Sequence, residues 1–123
     1  MREIKFRAWD KDKQCMIKDA LQHWKESFDV VTETFLTLLD DDKYEVMQYT
    51  GLKDAVGREI YEGDIVKCDD DLWVVLWDDY KSCFAIDGLY LSMYVCPFDV
   101  SWSNDCEVIG NIYENPELLE EET

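Results

Sequence analysis

The sequence predicts a mainly β (α+β) chain, with a small antiparallel SH3-like barrel, an N-terminal β/α extension and a short C-terminal helix. Three observations lead there. Gly51, Gly57 and Gly63 punctuate the stretch from Met47 to Lys67. Glycine reaches φ > 0 without a Cβ clash, so that spacing reads as successive tight turns between short strands. The run Leu72 to Trp77, Leu-Trp-Val-Val-Leu-Trp, is the most hydrophobic in the chain. Between Gly57 and Gly110, short apolar runs alternate with turn signals, the pattern of a small barrel.

The elements follow in order. Ile4, Phe6 and Ala8 alternate with Lys5, Arg7 and Trp9, the period of a half-buried strand. After the polar turn Asp10 to Gln14, Cys15-Met16-Ile17 returns as a second strand. Asp19 to Phe28 reads as a helix capped by Asp19, because Ala20, Leu21, Trp24 and Phe28 fall on one helical face. Val30 to Leu39 carries both a β-branched signal (Val31, Thr32, Thr34, Thr37) and a helical stripe (Phe35, Leu38, Leu39), and is assigned to strand. Tyr44 to Thr50 is a strand leading into the glycine-punctuated stretch. Strands are expected over Asp64 to Cys68, Leu72 to Trp77, Cys83 to Asp87, Leu89 to Tyr94 and Cys106 to Ile109, with Pro97 to Asn104 as an irregular connection. Asn115-Pro116 opens a terminal helix, with Asn as cap, Pro at the first position and Glu117 near the positive helix end.

The 123 residues read as one domain divided into 1–46, 47–113 and 114–123. Scaling gives a folded surface of roughly 6,900 Å² against about 21,000 Å² unfolded, enough burial for an independent core. The net charge of −17 is uneven. Residues 1–67 hold 11 basic and 15 acidic side chains, whereas residues 68–123 hold Lys81 alone against 14 acidic ones. That distribution disfavours direct binding to nucleic acid phosphate or to an anionic membrane, and it suits a partner with a basic surface. Acidity also keeps an aromatic-rich protein in solution, which is the simpler reading. Cys15, Cys68, Cys83, Cys96 and Cys106 include no Cys-x-x-Cys pair, and charges begin at Arg2 and Glu3. They are expected to be five free thiols in a reducing cytoplasm, without a secretory leader. No apolar run reaches the length of a membrane span.

Three stretches together resemble one known family. They are Met1-Arg2-Glu3-Ile4-Lys5-Phe6-Arg7-Ala8-Trp9-Asp10, then Gln48-Tyr49-Thr50-Gly51-Leu52-Lys53-Asp54 with Gly57 and Glu59-Ile60-Tyr61-Glu62-Gly63-Asp64-Ile65-Val66, and Glu107 to Leu119. They resemble the YopX family of phage and prophage proteins at the start, middle and end of the chain. Ala55-Val56 depart from the polar turn residues more usual there, and residues 19–46 follow no recognisable family pattern. The resemblance implies a phage or prophage context and a bacterial cytoplasm. It carries over no catalytic residue.

Candidate chemistry is sparse. Asp40-Asp41-Asp42 and Asp69-Asp70-Asp71 lack the alternating ligand spacing and central glycine of a calcium loop, so solvated turns are the better reading. His23 is the single histidine, which excludes a His-rich zinc site, and no local signature makes it the base for a cysteine nucleophile. No phosphate-binding glycine loop or Gly-x-Ser-x-Gly elbow occurs, and Gly57 and Gly63 are too far apart to form a cradle. No catalytic, metal or cofactor site is therefore expected, and Gly51, Gly57 and Gly63 are assigned to turns.

The aromatic side chains are the most suggestive feature. On the strand Leu72 to Trp77, Trp73, Val75 and Trp77 share one face while Leu72, Val74 and Leu76 share the other. Both faces are apolar, so the strand is either buried twice or part of an interface, with Trp73, Val74, Val75 and Trp77 as candidate contacts. A rich aromatic core is the structural alternative. The functional expectation is a non-enzymatic interaction module that forms a homo-oligomer or docks on a host or phage protein. The alternatives are an acidic decoy for a nucleic-acid-binding protein, and a small-molecule sequestering pocket.

Overall fold

Alternating apolar and polar side chains, broken by turns that need positive φ, make this chain a set of short antiparallel strands. The computed structural model describes residues 3–20, 42–90 and 92–120. The helix expected over 19–28, beyond Ala20, and the strand assigned to 30–39 lie outside them, as do His23 and Trp24. The chain divides into two compact units, Met1–Tyr49 and Thr50–Thr123.

In the first unit, β1 (Phe6–Asp10) is flanked by β2 (Cys15–Ile17) and β3 (Tyr44–Lys53). Both pairings are antiparallel, with Ala8 opposite Ile17 on one side and Val46 on the other. This register places Phe6, Ile17 and Val46 against buried Ala8 and Ala20. Asp10 ends β1 and holds the following turn, its carboxylate accepting from the backbone N–H groups of Asp12 and Lys13.

β3 continues into the second unit, where its neighbour is β4 (Glu59–Tyr61). Gly51 does not form the turn expected of it. It lies within β3 at φ +87, a local departure from strand geometry that a glycine accommodates. Beside it the Thr50 hydroxyl donates to the carbonyl of Ile60 and accepts from Leu52 N–H. Gly57 and Gly63 do sit in turns, at φ +90 and +82.

The rest of the second unit is a five-stranded antiparallel sheet curled into a half-barrel. Its order is β8-β7-β6-β5-β9, comprising β5 (Asp64–Cys68), β6 (Asp71–Asp78), β7 (Cys83–Gly88), β8 (Tyr94–Val95) and β9 (Cys106–Asn111). Asp69 and Asp70 alone join β5 to β6, both at positive φ, as a two-residue hairpin matched to strand twist requires. Among the described residues of the strand expected over 89–94, only Tyr94 is paired, with Val95 following it. The backbone of Leu89 instead donates to Leu72 and that of Gly88 to Met93. The connection at 97–104 is more ordered than expected. It contains a one-turn helix, α1 (Val100–Ser103), whose N-terminus is capped by Asp99 accepting from Ser101 N–H. A 3-10 turn at Pro116–Leu119 realises the expected terminal helix in shorter form.

One core fills the inner face of the curled sheet. Ile60, Val66, Trp73, Val75, Ile86 and Phe98 are its buried members, with Trp102 and Val108 packed against them. Full burial of each aliphatic side chain contributes about 1.5–3 kcal/mol before entropy is counted.

The expectation of five free thiols is corrected here. Cys68 is bonded to Cys106 and Cys83 to Cys96, leaving exposed Cys15 free. The reason is register. Antiparallel pairing sets Cys68 directly opposite Cys106 across β5 and β9, 38 residues apart in sequence, a proximity no local spacing reveals.

Candidate functional site

Alternation along β6 sends its two faces to different surroundings. Trp73 and Val75 are buried in the core, and Trp73 meets the Trp102 ring edge-on at 5.6 Å. Val74 is half-buried on the opposite face, next to fully buried Ile65 on β5. Of the four residues singled out by sequence, only Trp77 remains substantially accessible, at 42%. Trp77 shares the inner-face row with Trp73 and Val75 but lies at the end of the strand, where core coverage runs out. Phe84 stands opposite it, ring centroids 5.0 Å apart in an edge-to-face contact.

Four residues, Asp79 to Ser82, link β6 to β7 just beyond that pair. Asp78 organises the turn by accepting the Lys81 backbone N–H at 2.8 Å. On the outer face its carboxylate also accepts the hydroxyl of Tyr94 from β8. The charge of Asp78 is stabilised first by that hydroxyl and then by the Lys81 N–H, which hold its carboxyl below the usual aspartate value. The same bond, reinforced by partial burial and the nearby negative charges, pushes Tyr94 up to about 12. The Lys81 ammonium lies 6.0 Å from the Tyr94 ring centroid. Tyr80 projects from the tip at 95% exposure. The hairpin end thus joins a fixed backbone to exposed aromatic and carboxylate groups. The sequence singles out Trp77 as a candidate contact and counts Tyr80 and Tyr94 only among its many aromatic residues, with no signal for Asp78. The pairing of Asp87 with Tyr94, which brings β8 alongside, has no local signature.

A second polar centre lies at Asp54, whose side chain is buried. Its carboxylate accepts from the backbone N–H groups of Val56, Arg58 and Val108, and the Arg58 guanidinium approaches it at 3.2 Å. Burial pushes the carboxyl up. The three N–H donors and Arg58 outweigh that, so it stands below its ordinary value of 3.8. Both carboxylate oxygens are engaged by backbone N–H groups of three separate residues, which fits a structural role for Asp54. Asp69 and Asp70 are exposed turn residues, and Lys67 reaches Asp70 at 3.8 Å. Among the described residues no cluster of three or more His, Cys, Asp or Glu side chains is placed to hold a metal ion. Among them, too, no helix is long and apolar enough to cross a membrane.

These features define a small β-rich protein built on a curled five-stranded antiparallel sheet, with Trp77 and Tyr80 accessible at one hairpin end. The chain belongs to the YopX family: the family described as YopX protein matches residues 5–120. Among solved structures, the chain is similar to protein EF1440 from Enterococcus faecalis. Identity is 25% and the TM-score 0.63, over 98% of this chain and 100% of that one. No curated protein matches the chain.

Proposed function

We propose that this chain is a non-enzymatic protein-interaction module that works in a phage or prophage setting in the bacterial cytoplasm. One observation carries the reading. The second unit has a buried core of its own and yet leaves Trp77 on a strand, Tyr80 in the following turn, Val100 on α1 and Ile109 on β9 exposed. Rigid aromatic and aliphatic groups held outside a completed core are the usual anchors of protein contacts, because they bury area with little loss of side-chain freedom. Self-association is the first form such contact takes, since a copy of the chain offers the same apolar groups.

Sedimentation velocity at low and high salt tests it. The net charge of −17 opposes close approach, so the oligomer tightens as salt screens that repulsion, and Ile109→Glu or Val100→Glu weakens it. A strict monomer at every salt and at high concentration rules out self-association.

The charge of residues 68–123 favours a second reading, an acidic surface that engages a basic protein. A complex of that kind weakens steeply as salt rises, the opposite response to a hydrophobic self-contact.

A further inference from the structure

The β6–β7 hairpin end combines exposed aromatic rings with carboxylates. Trp77 is 42% exposed although its row-mates Trp73 and Val75 are buried, and Phe84 braces one side of its ring. Tyr80, three residues on, is almost wholly exposed. Asp78 and Asp79 lie between them in sequence, and the Asp78 bonds to Lys81 and Tyr94 fix the turn backbone. Lys81 is the one basic residue of 68–123, and it is placed over the Tyr94 ring. That contact lies on the outer face, beside the Asp78 carboxylate, away from the inner-face row that carries Trp77. The stretch has no second cation to offer Trp77 or Tyr80.

We propose that this hairpin end, Trp77 to Lys81, docks an arginine-bearing segment of a protein partner, with guanidinium groups stacked on the exposed rings of Trp77 and Tyr80 and drawn there by the negative charge of this half of the chain. Arginine fits better than lysine. Its planar, weakly hydrated guanidinium stacks on aromatic faces while its N–H edge still reaches a carboxylate. The excess of 14 acidic side chains over one basic in residues 68–123 draws a basic segment in, and the aromatic pair fixes where it lands. The site specifies the second reading above, the basic partner, and does not depend on self-association.

The test is a two-dimensional NMR titration of the whole chain with an acetylated nona-arginine amide at physiological salt. The expected result is that the largest shifts fall on the Trp77 indole N–H and the amides of residues 78–82. Trp77→Ser and Tyr80→Ser, which leave the net charge unchanged, should each weaken binding by about three- to fivefold. Tyr80 is too exposed to support the core, so Tyr80→Ser keeps the test decisive even if Trp77→Ser perturbs packing. Undirected charge attraction would leave both variants binding like wild type, with shifts spread over Asp69–Asp71 and Glu114–Glu120, and would overturn the proposal. A strict monomer in sedimentation leaves this inference standing, whereas unchanged variant affinities end it without touching self-association.

Discussion

At the scale of single residues, Asp54 shows how much structure one buried carboxylate can hold. Replacing it with Ala leaves the N–H groups of Val56, Arg58 and Val108 without their acceptor and should cost roughly 2–3 kcal/mol in urea denaturation. Asp54→Asn keeps one acceptor oxygen and should cost less. The carboxyl stands below 3.8 in the folded state, so at acid pH the unfolded chain binds the proton more readily. Its contribution is therefore complete above 3.8 and disappears as pH falls through the lower, folded value. Urea midpoints measured across acid pH should fall less steeply in Asp54→Asn than in the parent. Tyr94 gives the opposite sign. Raised to about 12 mainly by the hydrogen bond to Asp78, it contributes fully below 10.0 and loses that contribution as pH rises towards 12. Asp78→Asn should return the Tyr94 phenol towards 10.0, as followed by NMR of its ring carbon.

Among the elements, hairpins were more legible in the sequence than the chain's distant pairings. β5, β6 and β7 lie close to their expected positions because alternation and short turns are local signals. Gly63 was legible for the same reason. Gly51 was not, since a glycine inside a continuous strand and one in a turn leave the same mark in sequence. The one-turn helix α1 rests on a single Asp99 cap, too short a signal to separate from a loop. The hairpin end was half legible: Trp77 stood out, but the neighbours that give it a role arrive through β8. Cysteine chemistry was misread because Cys68 and Cys106 stand 38 residues apart in sequence and meet only through the β5–β9 pairing. That misreading has a direct test. Unfolded without reductant, the chain should show one titratable thiol, Cys15. Cys68→Ser should lower stability by about 3–4 kcal/mol, from the loop that the Cys68–Cys106 bond closes across 38 residues, and full reduction, which also opens Cys83–Cys96, should lower it further.

For the whole molecule, charge and β structure pull against one another. The chain carries −17 and an aromatic content of 14%, and that like charge opposes the close approach of two copies. What a partner could grasp is narrowed further at the rims of the five-stranded sheet. Along β9, the Val108 N–H is taken by the Asp54 carboxylate, the Cys106 carbonyl by the Ala55 N–H and the Asn111 N–H by the Asn115 side chain. At the opposite rim, β8 is only two residues long. An open strand edge is a template on which another chain can add its own strand, the first step towards a fibril. Here one rim is already occupied and the other is nearly absent. At β9 the five-stranded sheet therefore offers an incoming strand few free backbone groups, and the Asp54 loop acts as the stopper there.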